Sequence, residues 1–211
     1  MNLTDLKGRL LLGTNNPGKV KELRAILAPL SGIEILTPAD LELTLDVEEN
    51  GDSYAQNATL KALAFAKAGG MVALADDSGL EVDALNGAPG MYSARYLPKA
   101  GATDADRRAY LVQNLADAPH PWTARFRCVV TLAAPMMVLQ NFEGVCEGEI
   151  IPEERGEGGF GYDPVFQVAG GARTMAEFPA DEKNQISHRA RAAKAAIPFL
   201  QQYLSPEGSD D

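Results

Sequence analysis

Apolar positions along the chain form short continuous runs and helical repeats in turn. RLLLG at 9–13 is a bounded apolar run and predicts a buried strand. Asn16 then stands as a helix cap, with Pro17 at the first helical position, where its missing N–H costs nothing. Val20, Leu23, Ile26, Leu27 and Leu30 follow at helical spacing. A second helix is expected to open at Ser53, with Gln56 completing a capping box, and to stop at Gly69-Gly70. MVALA at 71–75 reads as the next strand, and a third helix opens near Thr103 with Tyr110, Leu111 and Leu115 on one side. Between about 123 and 148, ARFRCVVTLAA and MMVLQNFEGVCEG read as paired strands turning at Ala134-Pro135. A glycine-rich passage at 155–168 and an alanine-rich helix from Ser187 close the chain. Helices interleaved with strands, plus one hairpin, imply an α/β protein with a mixed sheet. No repeat or linker divides it, so residues 1–204 are expected to form one domain, followed by a disordered acidic tail at 205–211.

The run VALADDSGLE at 72–81 carries two adjacent acids where the apolar residues stop. Two readings stand. Asp, Ser and Gly are ordinary turn residues, so the strand ends there in a polar turn. Alternatively the strand delivers Asp76 and Asp77 to opposite faces, and one of them reaches a cleft.

Composition narrows the function. Of 211 residues, 45% are hydrophobic and 23% charged, which places the chain in the ordinary globular class. No apolar stretch is long enough to span a bilayer, and MNLTDLKGRLLLG has no signal-peptide pattern. Cys128 and Cys146 lack metal-ligand spacing and read as buried thiols of a reducing compartment, so a cytoplasmic protein without membrane partners is expected. A net charge of −10 argues against gripping a nucleic-acid polymer. It does not exclude a small phosphorylated ligand, which needs only a few well-placed cations.

Four constellations bear on such a ligand. GTNNPGKV, from Gly13 to Val20, is one residue from a P-loop, yet Val20 stands where the magnesium-binding hydroxyl belongs. What survives is a helix N-terminus with Thr14, Asn16 and Lys19 as added donors, suited to an anion and equally to a plain capped helix. In ISHRARAAKAA, Ser187 is an N-cap that puts His188 and Arg189 in a first helical turn, against the macrodipole, with Lys183 nearby; an anionic ligand or a solvated basic face accounts for them. In GEGGFGYDPVF, Phe160 between two glycines can stack on a base or face the core, and Asp163 follows. Glu48, Glu49, Asp76, Asp77 and Glu81 supply carboxylates of the kind magnesium takes together with waters and phosphates.

In order, TNNPGKVKEL, ENGDSYAQNATLKA, ADDSGLEVDALNGAPGMYSARY, GGFGYDPVF and EKNQISHRARA resemble the motifs of the inosine triphosphate pyrophosphatase family, over about residues 10–200. The resemblance implies a long mixed sheet flanked by helices, two lobes with a substrate cleft, a homodimer, and hydrolysis of dITP, ITP or XTP to the monophosphate and pyrophosphate with Mg2+. It implies that Thr14, Asn16 and Lys19 bind the triphosphate, with Lys61 and Ser78 supporting it. It makes Glu49 and Asp77 the metal ligands and Asp77 the base that activates water. Phe160, Gly161, Tyr162 and Asp163 would form the base pocket, completed by Lys183, His188 and Arg189. Asn15 departs from the small residue the family often carries there. Chemically, Arg189 has only donors, so it would accept a 6-keto purine and oppose a 6-amino one. A P-loop kinase or NTPase, or a nucleotide-binding module without catalysis, are the alternatives; the first would release orthophosphate or transfer phosphate, the second would release nothing.

Overall fold

The computed structural model describes residues 6–205. All of the expected acidic tail except Ser205 lies outside the described residues. Seven strands and five α-helices are present among those residues: β1 (Arg9–Leu12), α1 (Pro17–Ile26), β2 (Glu34–Leu36), α2 (Tyr54–Gly69), β3 (Ala73–Val82), β4 (Pro89–Gly90), α3 (Asp104–Leu115), β5 (Trp122–Ala134), β6 (Met137–Ile150), β7 (Phe166–Val168), α4 (Ala180–Ile186) and α5 (His188–Leu204). The strands pair in the order β2-β1-β3-β5-β6-β7, with β4 also on β3. β1 pairs parallel with β2 and β3, whereas β3–β4 and β6–β7 are antiparallel, so the sheet is mixed as the sequence implies.

Local chemistry explains the helix starts. The Asn16 side chain accepts from the Lys19 N–H at 3.1 Å with Pro17 next in line, and Thr103 and Asp106 form a full capping box on α3. Ser53 caps α2 by accepting from the Gln56 N–H, but Gln56 reaches back to the N–H of Asp52 instead of Ser53, so the expected box is displaced by one residue. Gly70 ends α2 in the left-handed region at φ 63°.

The chain packs as two compact units. The first comprises the chain through Asp77, Val129–Glu143 and the stretch from Arg189 onward; the second comprises Ser78–Cys128 and Gly144–His188. The core of the first gathers Leu11, Phe65, Met71 and alanines of α2, β3 and β5. The core of the second gathers Leu80, Leu111, Leu115, Trp122, Phe126, Tyr162 and Phe166.

One expectation fails usefully. The strand at 71–75 does not end at the acids: β3 runs through Asp76, Asp77, Ser78 and Gly79 to Val82. The polar turn is therefore ruled out. Leu12 pairs with Leu74, and β1 stops there, so β3 outruns its parallel neighbour and carries both acids past its end. Burial of charged residues inside a strand requires partners, and the first unit supplies them.

Candidate active site

Adjacent strand residues face opposite ways, and the two aspartates meet different cations. Asp77 faces α2. Its Oδ1 accepts from Lys61 Nζ at 3.0 Å, and the same ammonium donates to Glu49 Oε1 at 2.8 Å. Asn57, one helical turn before Lys61, donates to Asp77 Oδ2 at 3.4 Å. Its own Oδ1 accepts from the Gly51 N–H at 2.8 Å, which ties the loop carrying Glu49 to the helix. A Cβ on Gly51 would lie 2.7 Å from Gln56 Cβ and 2.8 Å from Asn57 Oδ1, so only glycine lets this loop close on α2. Burial raises the Asp77 pKa, Lys61 pulls it back, Glu49 pushes it up again, and the net direction is upward. Burial disfavours the Lys61 ammonium, yet Asp77, Asp76 and Glu49 together outweigh it and raise its pKa.

Asp76 faces α1 and α5. Its side chain is 0% exposed, and Oδ2 accepts from Lys19 Nζ at 3.1 Å and from Arg189 Nε and Nη2 at 3.2 Å each. Arg189 Nη1 donates to Glu22 Oε2 at 2.5 Å. Burial alone would raise the Asp76 pKa; Lys19, Arg189 and Lys61 more than reverse it and hold the carboxyl far below its ordinary range. The expected offer of Arg189 to a purine oxygen is not what this arrangement displays. Its guanidinium is buried and engaged by two carboxylates within the first unit. Thr14 Oγ1 accepts from the Asn16 N–H at 3.2 Å, so the turn before α1 keeps Thr14, Asn16 and Lys19 together beside this cluster.

The second unit holds the other expected residues. Asp163 Oδ2 accepts from the Phe160 N–H at 2.8 Å and from Lys183 Nζ at 2.6 Å. That ammonium lies 5.2 Å from the centroid of the half-buried Phe160 ring. Gly159, at φ +72°, makes the pairing possible, because a Cβ there would overlap Asp163 Oδ2 and come within 2.9 Å of Lys183 Nζ. Gly159→Ala is therefore expected to cost about 1–3 kcal/mol in urea denaturation, from backbone strain and a displaced carboxylate. Tyr162, expected in the base pocket, is buried in the core of the second unit. Its hydroxyl donates to the Ser93 carbonyl at 2.9 Å, and burial raises its pKa. His188 is buried and stacked on Phe126, with centroids 4.7 Å apart. Ser78, beside Asp77 on β3, is partly exposed.

Sequence reasoning gave no role to Asn57 or Glu22. Asn57 and Lys61 are four residues apart on α2, among buried Tyr54, Ala58, Ala62 and Phe65. Polar residues on a core-facing stripe were the available signal for that pair.

The chain is thus a mixed-sheet α/β protein in which two lysines and an arginine gather on two adjacent strand carboxylates. The chain belongs to the Ham1 family, whose model matches residues 10–199. The dITP/XTP pyrophosphatase of Desulforamulus reducens is 49% identical over 195 residues, covering 91% of this chain and 95% of that protein. That of Bacillus subtilis is 44% identical over 191 residues, covering 90% and 96%. A solved structure of a HAM1 protein from Coxiella burnetii superposes with a TM-score of 0.81 at 39% identity, covering 92% of this chain and 98% of that one.

Proposed function

We propose that this chain hydrolyses the non-canonical purine nucleotides dITP, ITP and XTP to the monophosphate and pyrophosphate, which would keep them out of the pool used for DNA and RNA. The observation that carries the reading is Asp77, an acid with a raised pKa, held beside Lys61 and Glu49 in a chain of the Ham1 family. A carboxylate whose pKa burial has raised is a stronger base than an exposed one, which suits it to take a proton from water attacking the α-phosphorus. Lys61 holds Asp77 beside Glu49 by donating one charge-assisted hydrogen bond to each of the two carboxylates. Thr14, Asn16 and Lys19 would take the phosphates at the start of α1, and Ser78 would support them. Arg189, in place of reading the base, would order Asp76 and through it Lys19.

Magnesium belongs to this proposal. Glu49 and Asp77 are hard oxygen donors placed around one cationic point, the Lys61 ammonium, which fits a hard divalent ion. Among the described residues no third acid, histidine or cysteine joins them, so waters and substrate phosphates would fill the other positions. Bound there, the ion would neutralise phosphate charge.

For the base, Phe160 would supply a stacking face, and the donor-only Lys183 beside it would favour a 6-keto over a 6-amino purine. Asp163 holds Lys183, and Gly161, Tyr162 and His188 support the surrounding loop and core. No helix of the described residues is long and apolar enough to cross a membrane. A cytoplasmic location follows from the substrate pool, and a homodimer completes the proposal, to be checked by sedimentation.

The test is incubation with magnesium and dITP, XTP, GTP or ATP, separating pyrophosphate from orthophosphate. Pyrophosphate from dITP and XTP, with little product from ATP, is expected. Orthophosphate from ATP, or no product from any nucleotide, overturns the reading.

A further inference from the structure

The loop that carries Phe160 is held on one side by the Gly158 N–H, which donates to the Ala176 carbonyl at 3.0 Å, and by Asp163, which accepts from the Phe160 N–H. Residues 152–154 and 156–159 are exposed, and several glycines loosen the backbone. Gly161, directly after Phe160, sits in the left-handed region at φ +62°, with nothing within 4 Å of where a Cβ would be. Yet both of its backbone polar groups are engaged by one distant element. Asp104 Oδ2 accepts from the Gly161 N–H at 2.8 Å, and Arg108 Nη1 donates to the Gly161 carbonyl at 2.8 Å. These partners lie one turn apart at the start of α3, more than fifty residues away in sequence.

The latch is itself braced. Arg107 pairs with Asp104 Oδ1 and donates to the Ala102 carbonyl at 2.8 Å, while Arg108 Nη2 donates to Glu154 Oε2 at 2.8 Å, so the same arginine also ties the loop's beginning. Leu111 and Leu115 seat the helix in the core of the second unit with no exposure. A rigid, capped helix thus clamps the peptide unit next to the aromatic.

We propose that Asp104 and Arg108 are positioning residues that set the placement of Phe160 for the purine, and so govern nucleotide affinity and base discrimination without touching substrate. This rests on the reading of Phe160 as the stacking residue. The alternative, that α3 only stabilises the second unit, would lower stability and leave substrate affinity alone.

The experiment uses the full chain with Asp104→Ala, Asp104→Asn and Arg108→Gln, assayed for pyrophosphate release from dITP and ATP. In parallel, amide hydrogen exchange is followed in the absence of nucleotide. Asp104→Ala and Arg108→Gln are expected to raise the KM for dITP about tenfold, the worth of a hydrogen bond to a charged group. The kcat stays within about threefold of wild type, and the preference for dITP over ATP narrows, as expected when a positioning contact loosens. Asp104→Asn keeps an oxygen acceptor for the Gly161 N–H and should restore most of the affinity. Exchange at 159–162 should accelerate in the alanine variant while the amides of β5 keep their protection. Unchanged loop exchange overturns the latch, whatever the kinetics. Faster loop exchange with unchanged KM in folded variants overturns its role in substrate placement. If Asp104→Ala fails to fold, Arg108→Gln carries the same comparisons. If the wild-type chain hydrolyses none of the nucleotides, the reading of function fails, while the exchange result still decides whether the latch exists.

Discussion

Asp77→Asn is expected to lower pyrophosphate release from dITP by about 10²–10⁴-fold, the usual worth of a positioned general base, while the protein stays folded. The second half of that expectation comes from the direction of the pKa shift. Burial makes the ionised Asp77 a costly group, and its pKa is raised despite Lys61. Removing such a charge gives back part of the desolvation cost. Lys61 loses one partner but keeps Glu49 at 2.8 Å. The two effects oppose, so the urea midpoint should correspond to a change of no more than about 1.5 kcal/mol, the scale of a single net hydrogen bond. Kinetics and urea denaturation on the same preparation check both halves. A wild-type rate would remove Asp77 from the base role. A lost rate with an equally large loss of stability would make the residue structural instead.

What the chain disclosed in advance follows the range of the interactions involved. Asn16, Ser53 and Thr103 were legible as helix starts because a cap is completed within three residues. Even there Gln56 chose the N–H of Asp52, a detail of loop geometry that spacing does not contain. The hairpin of β5 and β6 was legible because its strands are long and its turn has a proline. The interior of β3 was not. Two acids, a serine and a glycine look like a turn unless their partners are known, and Arg189 lies 113 residues from Asp76. Tyr162 and Phe160 share one glycine-rich loop, yet only the tyrosine enters the core, because its hydroxyl finds the Ser93 carbonyl 69 residues away. Residue types in the five motifs supplied the candidates from which the proposed site is drawn. The resemblance already gave Asp77 the part of base; that Asp77 meets Lys61 while Asp76 meets Lys19 and Arg189 required the fold.

For the same reason Asp76→Asn should behave opposite to its neighbour, losing stability first. Its carboxylate is fully buried, and three hydrogen-bonding contacts from Lys19 and Arg189 converge on one oxygen. Removing that charge takes one of two carboxylates from the buried Arg189 and leaves Lys19 without its ion pair. Breaking a buried pair from one side costs about 3–5 kcal/mol, so a correspondingly large drop in the urea midpoint is expected at pH 7 with chelator present. The pH dependence separates electrostatics from packing. The folded-state pKa lies below the ordinary value of 3.8, so the stabilisation is complete above 3.8 and is lost as pH falls toward the depressed folded value. The stability difference between wild type and variant should therefore stay constant from pH 7 to about 4.5 and shrink below that, since other acids titrate alike in both proteins and cancel. A small difference at pH 7 would mean that the cluster is no lock. A large difference that persists unchanged into strong acid would assign the cost to shape and not to charge. The expected curve, together with an Asp77 variant that keeps its fold and loses turnover, would separate the two aspartates by role: one stabilises the end of β3 through Arg189 and Lys19, and its neighbour on the opposite face can then carry an unfavourably buried charge into the site.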